Sequence, residues 1–268
     1  MTTVGAALPA VQAKARTRGT ALPRAVAGVA ILLVWQVTVR AFAPDFVATP
    51  TGIVEAIPAV VSSAAFLEAI GITLAATAEG LVIALVLGTA LGLLMGRNAV
   101  ADRALRLWIN SFNAMPMILI LPLVSLWFGY SSLARLATIV FAAIFAVIIN
   151  AAEGAQSVPR EYLEVGRSFR SSALRGLFEI VLPASMPYLL SGLRLAAGRA
   201  IIGAVVAEFF TAIPGIGYFI LYNSRTFHHN EAFVAVIFLA GFGVGFDALV
   251  NWATRRYLPW YRRDEQTE

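Results

Sequence analysis

The sequence predicts an all-α integral membrane protein with six membrane-spanning helices, and three observations carry that reading. Of its 268 residues, 59% are hydrophobic and only 13% charged, with a mean hydropathy of +0.80. So few charges cannot cover a soluble surface. Apolar runs near 23–42, 71–95, 104–128, 132–150, 184–210 and 232–252 approach the roughly 20 residues that a helix needs to cross a hydrocarbon core of about 30 Å. Finally, the basic residues are one-sided. With the N-terminus inside, the inner segments hold fifteen Lys and Arg, whereas the outer ones hold three, Arg40, Arg135 and Arg225. That bias places both termini in the cytoplasm.

Residues 1–22 are rich in small residues and carry only Lys14, Arg16 and Arg18 as charges, which reads as a flexible cytoplasmic tail. The run after Arg24 lacks a small-residue cleavage site and is followed by more spans, so it reads as an uncleaved first span of a transmembrane domain covering 23–252. Between the first two spans, Pro50 and Pro58 interrupt a stretch that also carries Asp45, Glu55 and Glu68. Short interfacial helices are expected there. Gly88, Gly92 and Gly96 recur every fourth residue and put a groove on one face of the second span, where another helix backbone can approach closely. Gly241 and Gly245 repeat the spacing in the sixth, where ordinary membrane-helix composition explains them equally well. Residues 253–268 form a basic cytoplasmic tail.

Between the fourth and fifth spans lies the most charge-dense stretch of the second half, residues 157–183. Pro159 is suited to a first helical turn and Glu161 to the positive end of its dipole, so a short helix is expected to about Phe169. Ser171 or Ser172 then caps a second, which should end before Pro183. Its apolar members, Tyr162, Leu163, Val165, Phe169, Leu177 and Phe178, exceed what a solvated loop needs. The pair forms a rigid knob below the membrane.

From Glu164 the residues fit the spacing E-A-A, three residues, G, nine residues, I, one residue, L-P, which marks permease subunits of binding-protein-dependent ABC importers. Glu164, Ile180, Leu182 and Pro183 fall on it, while Val165 and Gly166 replace the alanines and Arg170 the glycine. A left-handed glycine replaced by arginine is strained, which puts that turn in question. The resemblance covers most of the chain. "PMILILPLVSLWFGYSS" from Pro116, "TLAATAEG" from Thr73, "AEFFTAIPGIGYFI" from Ala207 and "RRYLPWYRR" from Arg255 resemble the nitrate, sulfonate and taurine subgroup.

This resemblance implies a type I ABC importer permease bundle in a bacterial cytoplasmic membrane. It further implies a homodimer, a periplasmic or extracellular solute-binding protein, and a cytoplasmic ABC ATPase dimer that binds the ATP and magnesium. The segment 157–183 becomes a coupling helix that docks on the ATPase. The docking residues implied are Glu161, Leu163, Glu164, Val165, Gly166, Arg167, Ser168, Phe169, Arg170, Ile180, Leu182 and Pro183. The solute is a small anion such as a sulfonate, taurine or nitrate.

Charges within spans are costly and tend to face the bundle interior or a water-filled path. Arg194 and Asp247 are placed to pair, although snorkelling explains Arg194 equally well. Asn113, Met117, Ser125, Arg199 and Glu208 are the candidates for lining the path. His228 and His229, adjacent in a loop, are read as solvated rather than as a metal site. No metal ligand set, cysteine, catalytic residue or nucleic-acid-binding pattern is expected. The chain has no G-x-x-x-x-G-K-[ST], H-E-x-x-H or G-x-S-x-G, so ATP hydrolysis falls to a partner and a membrane-embedded enzyme is disfavoured. A self-sufficient secondary transporter is disfavoured by the lack of an evident inverted repeat.

Overall fold

A computed structural model describes residues 21–42 and 47–257. Most of the N-terminal tail, Asp45 and the C-terminal residues 258–268 lie outside them. The chain forms eleven α-helices among the described residues: α1 (Ala21–Phe42), α2 (Pro50–Val61), α3 (Ala64–Arg97), α4 (Ala99–Ala114), α5 (Leu121–Phe128), α6 (Ser132–Gln156), α7 (Arg160–Ser168), α8 (Ala173–Gly176), α9 (Leu182–Thr211), α10 (Ile216–Arg225) and α11 (His229–Tyr257). A 3₁₀ turn (Met117–Leu119) precedes α5, and a π-helical turn (Leu177–Val181) joins α8 to α9.

The bundle is built on the small-residue face of α3. A Cβ added to Gly88, Gly92 or Gly96 would fall 2.8, 2.5 and 2.5 Å from the Cβ atoms of Val147, Ala151 and Ala155 of α6, and at Gly80 it would fall 2.9 Å from that of Ile139. All four pairs are 59 residues apart, so α3 and α6 run parallel and in constant register. Helix α9 packs antiparallel against both. Gly154 of α6 meets Ser185 and Tyr188 near the start of α9, while Gly203 meets Ala142 and Ile139 further along. The glycine groove expected in the second span is therefore a helix contact. Gly241 and Gly245 have nothing within 4 Å of an added Cβ, so in α11 the spacing packs no helix of this chain.

Among the described residues five helical segments are long and apolar enough to cross a bilayer, and the third expected span is a pair, Ala99–Ala114 and Met117–Phe128, bent by 92°. That corrects the expectation of one helix over 104–128. Pro116 and Pro122 lack backbone donors, and Met115, which precedes a proline, is extended with ψ 129° as the proline requires. The pair must still cross. Parallel α3 and α6 both begin at one end, so the residues joining the end of α3 to the start of α6 have to return through the bundle. Counting that broken crossing, there are six.

Two further expectations are corrected by how prolines are absorbed. Pro50 starts α2 behind the Thr49 N-cap, whereas Pro58 lies inside the helix rather than breaking it. The fifth span does not begin after Pro183. It runs continuously from Ala173 to Thr211, because the π turn ahead of Pro183, in which Leu182 N–H donates to Leu177 O, widens the helix where the proline ring would meet the preceding turn.

Overpacking a tight core position costs about 1–3 kcal/mol. Gly92→Val is expected to lower the thermal unfolding midpoint of the protein in detergent accordingly, because Ile148 O lies 2.6 Å from the added Cβ. Gly241→Val, in open space, should leave it unchanged.

Candidate functional site

The knob occupies the bundle end where α3 and α6 finish. Helix α7 closes in a Schellman-type cap: Ser171 N–H donates to Gly166 O at 3.0 Å, and Arg170 takes the left-handed conformation at φ 56°. Arginine therefore adopts the glycine geometry and keeps the turn, with the steric cost of a left-handed L-residue. Ser172 caps α8, its Oγ accepting from Arg175 N–H at 3.2 Å.

The residues expected to dock on an ATPase divide into two faces. Leu163, Ile180 and Leu182 pack inward with Leu93, Ala155, Val158 and Val181. Gly166 joins them, since a Cβ there would fall 2.8 Å from Ile180 Cδ1, so added bulk at Gly166 would first disturb the knob itself. Facing outward are Glu161, Glu164, Val165, Ser168, Arg170, Pro183 and Phe169, which at 83% is the most exposed large apolar side chain of the knob. Tyr162, Val165, Phe169, Ile180 and Pro183 border a groove of about 870 Å³, with Arg175 and Glu179 on its rim in an ion pair of 3.4 Å. Apolar side chains this exposed, flanked by Glu161 and Glu164, which make no ion pair among the described residues, form a ready protein contact. For Arg167 only its place in α7 is described.

At mid-bundle the broken crossing and α9 meet. Asn113, in the last turn of α4, accepts a hydrogen bond from Arg199 Nη1. Both line a cavity of about 190 Å³ with Phe112, Met115, Met117, Phe141, Ala142, Phe145 and Ile202. Three of the five candidate path residues, Asn113, Met117 and Arg199, are thus brought together. Ser125 is not among them. It sits in α5, with its hydroxyl buried and without a hydrogen-bond partner among the described residues.

Glu208 lies nine residues beyond Arg199, two and a half helical turns, and so on the opposite face of α9. It is fully buried at 0% exposure. Gly217 N–H donates to its Oε2 at 2.8 Å, Thr73 Oγ1 lies 2.9 Å from its Oε1, and Arg135 Nη1 pairs with it at 3.3 Å. Arg135 also donates to Pro214 O at 2.9 Å, and Ile216 N–H to Thr73 Oγ1 at 2.8 Å. Glu208 therefore ties α3, α6, α9 and the start of α10 together. Sequence reasoning missed this tie, although "PGIGY" signals it: a Cβ at Gly215 would fall 2.2 Å from the carboxylate, so only glycine lets the loop fold over it.

The expected partnership of Arg194 and Asp247 is present at 2.8 Å, with Asn251 donating to Asp247 at 2.9 Å. Among the described residues no group of three or more His, Cys, Asp or Glu could hold a metal. His228 Nδ1 instead lies 3.1 Å from Thr226 Oγ1.

Residues 80–263 match the family described as binding-protein-dependent transport system inner membrane component. The chain is 29% identical over 234 residues to the formylaminopyrimidine transport permease protein ThiX of Halalkalibacterium halodurans, covering 87% of this chain and 93% of that one. It is 34% identical over 199 residues to the nitrate import permease protein NrtB of Leptolyngbya laminosa, covering 74% and 69%. To the bicarbonate transport system permease protein CmpB of Synechococcus elongatus it is 30% identical over 184 residues, covering 68% and 66%.

Breaking a buried ion pair from one side costs about 3–5 kcal/mol. Glu208→Leu, which strands Arg135 and the Gly217 N–H, is expected to destabilise the detergent-solubilised protein by that order in thermal unfolding. Arg170→Gly relieves a left-handed arginine and is expected to stabilise it by about 1 kcal/mol in the same assay.

Proposed function

The chain belongs to the family of binding-protein-dependent transport system inner membrane components, and on that premise we propose that it couples an ATPase to a solute path through the knob at 157–183. The single observation that carries this reading is the two-faced construction of α7. Leu163 and Gly166 anchor it to the π turn at the head of the fifth crossing, while Tyr162, Val165, Phe169, Glu161 and Glu164 are presented outward. A short helix clamped in this way transmits a rigid displacement that a loop would absorb.

In the working importer the knob seats on a cytoplasmic ABC ATPase dimer, which binds the ATP and magnesium. A solute-binding protein delivers its cargo to the opposite face, and a second copy of the permease completes the path. The positive-inside distribution supports cytoplasmic termini. A small anion as cargo is supported by the nitrate and bicarbonate permeases among the relatives and by the intramembrane Arg199.

The test is reconstitution of the chain with its ATPase and binding protein. Glu164→Lys reverses an outward charge and Phe169→Ser removes the most exposed apolar contact, and neither touches a membrane crossing. Each is expected to weaken ATPase co-purification at least about 30-fold, the consequence of losing 2 kcal/mol or more at an interface, with membrane insertion intact. Arg170→Gly should couple as the parent does. Full assembly and full stimulation of hydrolysis in both variants would show that the segment is only a packed loop.

A further inference from the structure

Arg199 carries a full charge at the middle of the membrane domain, level with Ala142 and Phe145 of α6. Its one hydrogen bond is to the neutral amide of Asn113, and among the described residues no carboxylate pairs with it. Arg194 and Arg135, the other arginines facing the bundle, are each paired with an acid. An uncompensated guanidinium at this depth is expensive and calls for an anion or water.

A second, independent observation marks the same place. The 92° break between α4 and the segment from Met117 lies beside Arg199. Backbone that leaves the helix at membrane depth persists only where it is buried in protein or lines a water-filled cavity.

The remainder of the cavity wall is apolar. Phe112 and Phe145 stack at 6.0 Å, and Phe141 meets Phe145 edge-on at 5.0 Å, with Met115 and Met117 alongside. Such a wall cannot rehydrate a bare inorganic ion, but it covers a short hydrocarbon group. The volume of about 190 Å³ is several times what one water needs, so the cavity admits a small solute.

We propose that Arg199, oriented by Asn113, contacts the oxyanion head of a small organic anion whose apolar group lies against Phe112, Phe141, Phe145 and Met117. The inference rests on the importer reading above and names the cargo class of its path. The planar guanidinium suits a head with two or three oxygens, which it can grip through two parallel N–H donors.

The chain has no cysteine, so Met117→Cys in the complete importer complex places one thiol per permease copy on the cavity wall. Its modification by anionic 2-sulfonatoethyl methanethiosulfonate is compared with that by the cationic trimethylammonium analogue. Both are read by mass on the permease and normalised to a free thiol. The anionic reagent is expected to be favoured at least tenfold, the order of effect of a unit charge a few ångströms away at an effective dielectric constant of about 20. Arg199→Met in the same background should abolish the preference. Ethanesulfonate should slow labelling more than nitrate at equal concentration.

An unreactive thiol, equal normalised rates, or a preference that survives Arg199→Met would overturn the site. Equal protection by nitrate would overturn the organic cargo. Loss of the preference when phosphatidylglycerol is added to phosphatidylcholine nanodiscs would assign Arg199 to a lipid headgroup and overturn it as well. ATPase co-purification in the same preparation separates the two levels of the reading. A complex that assembles without anion preference sinks the site alone, and a chain that never binds the ATPase sinks the function beneath it.

Discussion

Direct backbone contact between α3 and α6 organises this bundle, and it depends on side chains that are not there. Four glycines of α3 admit the Cβ atoms of Ile139, Val147, Ala151 and Ala155 into its surface, so the two helices lie closer than larger residues would allow. In lipid no hydrophobic force draws helices together, and such close van der Waals packing is what remains. Because the contact is parallel, the intervening chain must cross back. That crossing is made by two helices meeting at 92°, and the break falls beside Arg199. Packing of glycine against alanine thus dictates where the membrane domain opens a polar cavity.

Helix α9 completes the frame and links its two ends. From the capped turn at Ser172 to Thr211 the chain is helical without a break, about 60 Å at 1.5 Å per residue. One end carries the π turn on which Leu163 and Gly166 rest. The other carries Glu208, locked into α3, α6 and the start of α10 by three partners, Thr73, Arg135 and Gly217, around one buried carboxylate. Arg199 lies between them. Between the knob and the level of Arg199 the rod is irregular at the widened π turn ahead of Pro183 and at Pro187, which lies inside the helix without a backbone donor. The buried carboxylate also explains why "PGIGY" carries two glycines. Gly215 clears space for the oxygens, and at Gly217, whose N–H donates to one of them, a Cβ would fall 2.6 Å from Val205 O and 2.9 Å from Glu208 Cβ.

Much of this was legible in the residues. Composition and run length determined the membrane class and the position of most crossings, because the hydrocarbon thickness sets a length that sequence must meet. The helix start behind Ser172 followed from local capping chemistry, and the groove of α3 from the fourfold spacing of its glycines. The family spacing around Glu164 located the knob, whose inner and outer faces then follow helical periodicity.

What tertiary structure alone decided were the relations between distant segments. Whether Pro58 and Pro183 end a helix depends on whether the neighbouring turn can widen or the missing donor is tolerated, which local rules do not encode. Arg170 holds a left-handed turn because its neighbours close the cap around it, overriding its intrinsic preference. Glu208 and Arg199 look alike in sequence, as isolated charges in one apolar run. Half a turn of helical phase sends one into a saturated buried tie and the other to an open cavity. The sequence by itself determined that this chain crosses a membrane and carries a short helical knob between its fourth and fifth crossings. Only packing could decide which of its charges is neutralised by the protein and which is left for something else, because that depends on which helix face meets which neighbour.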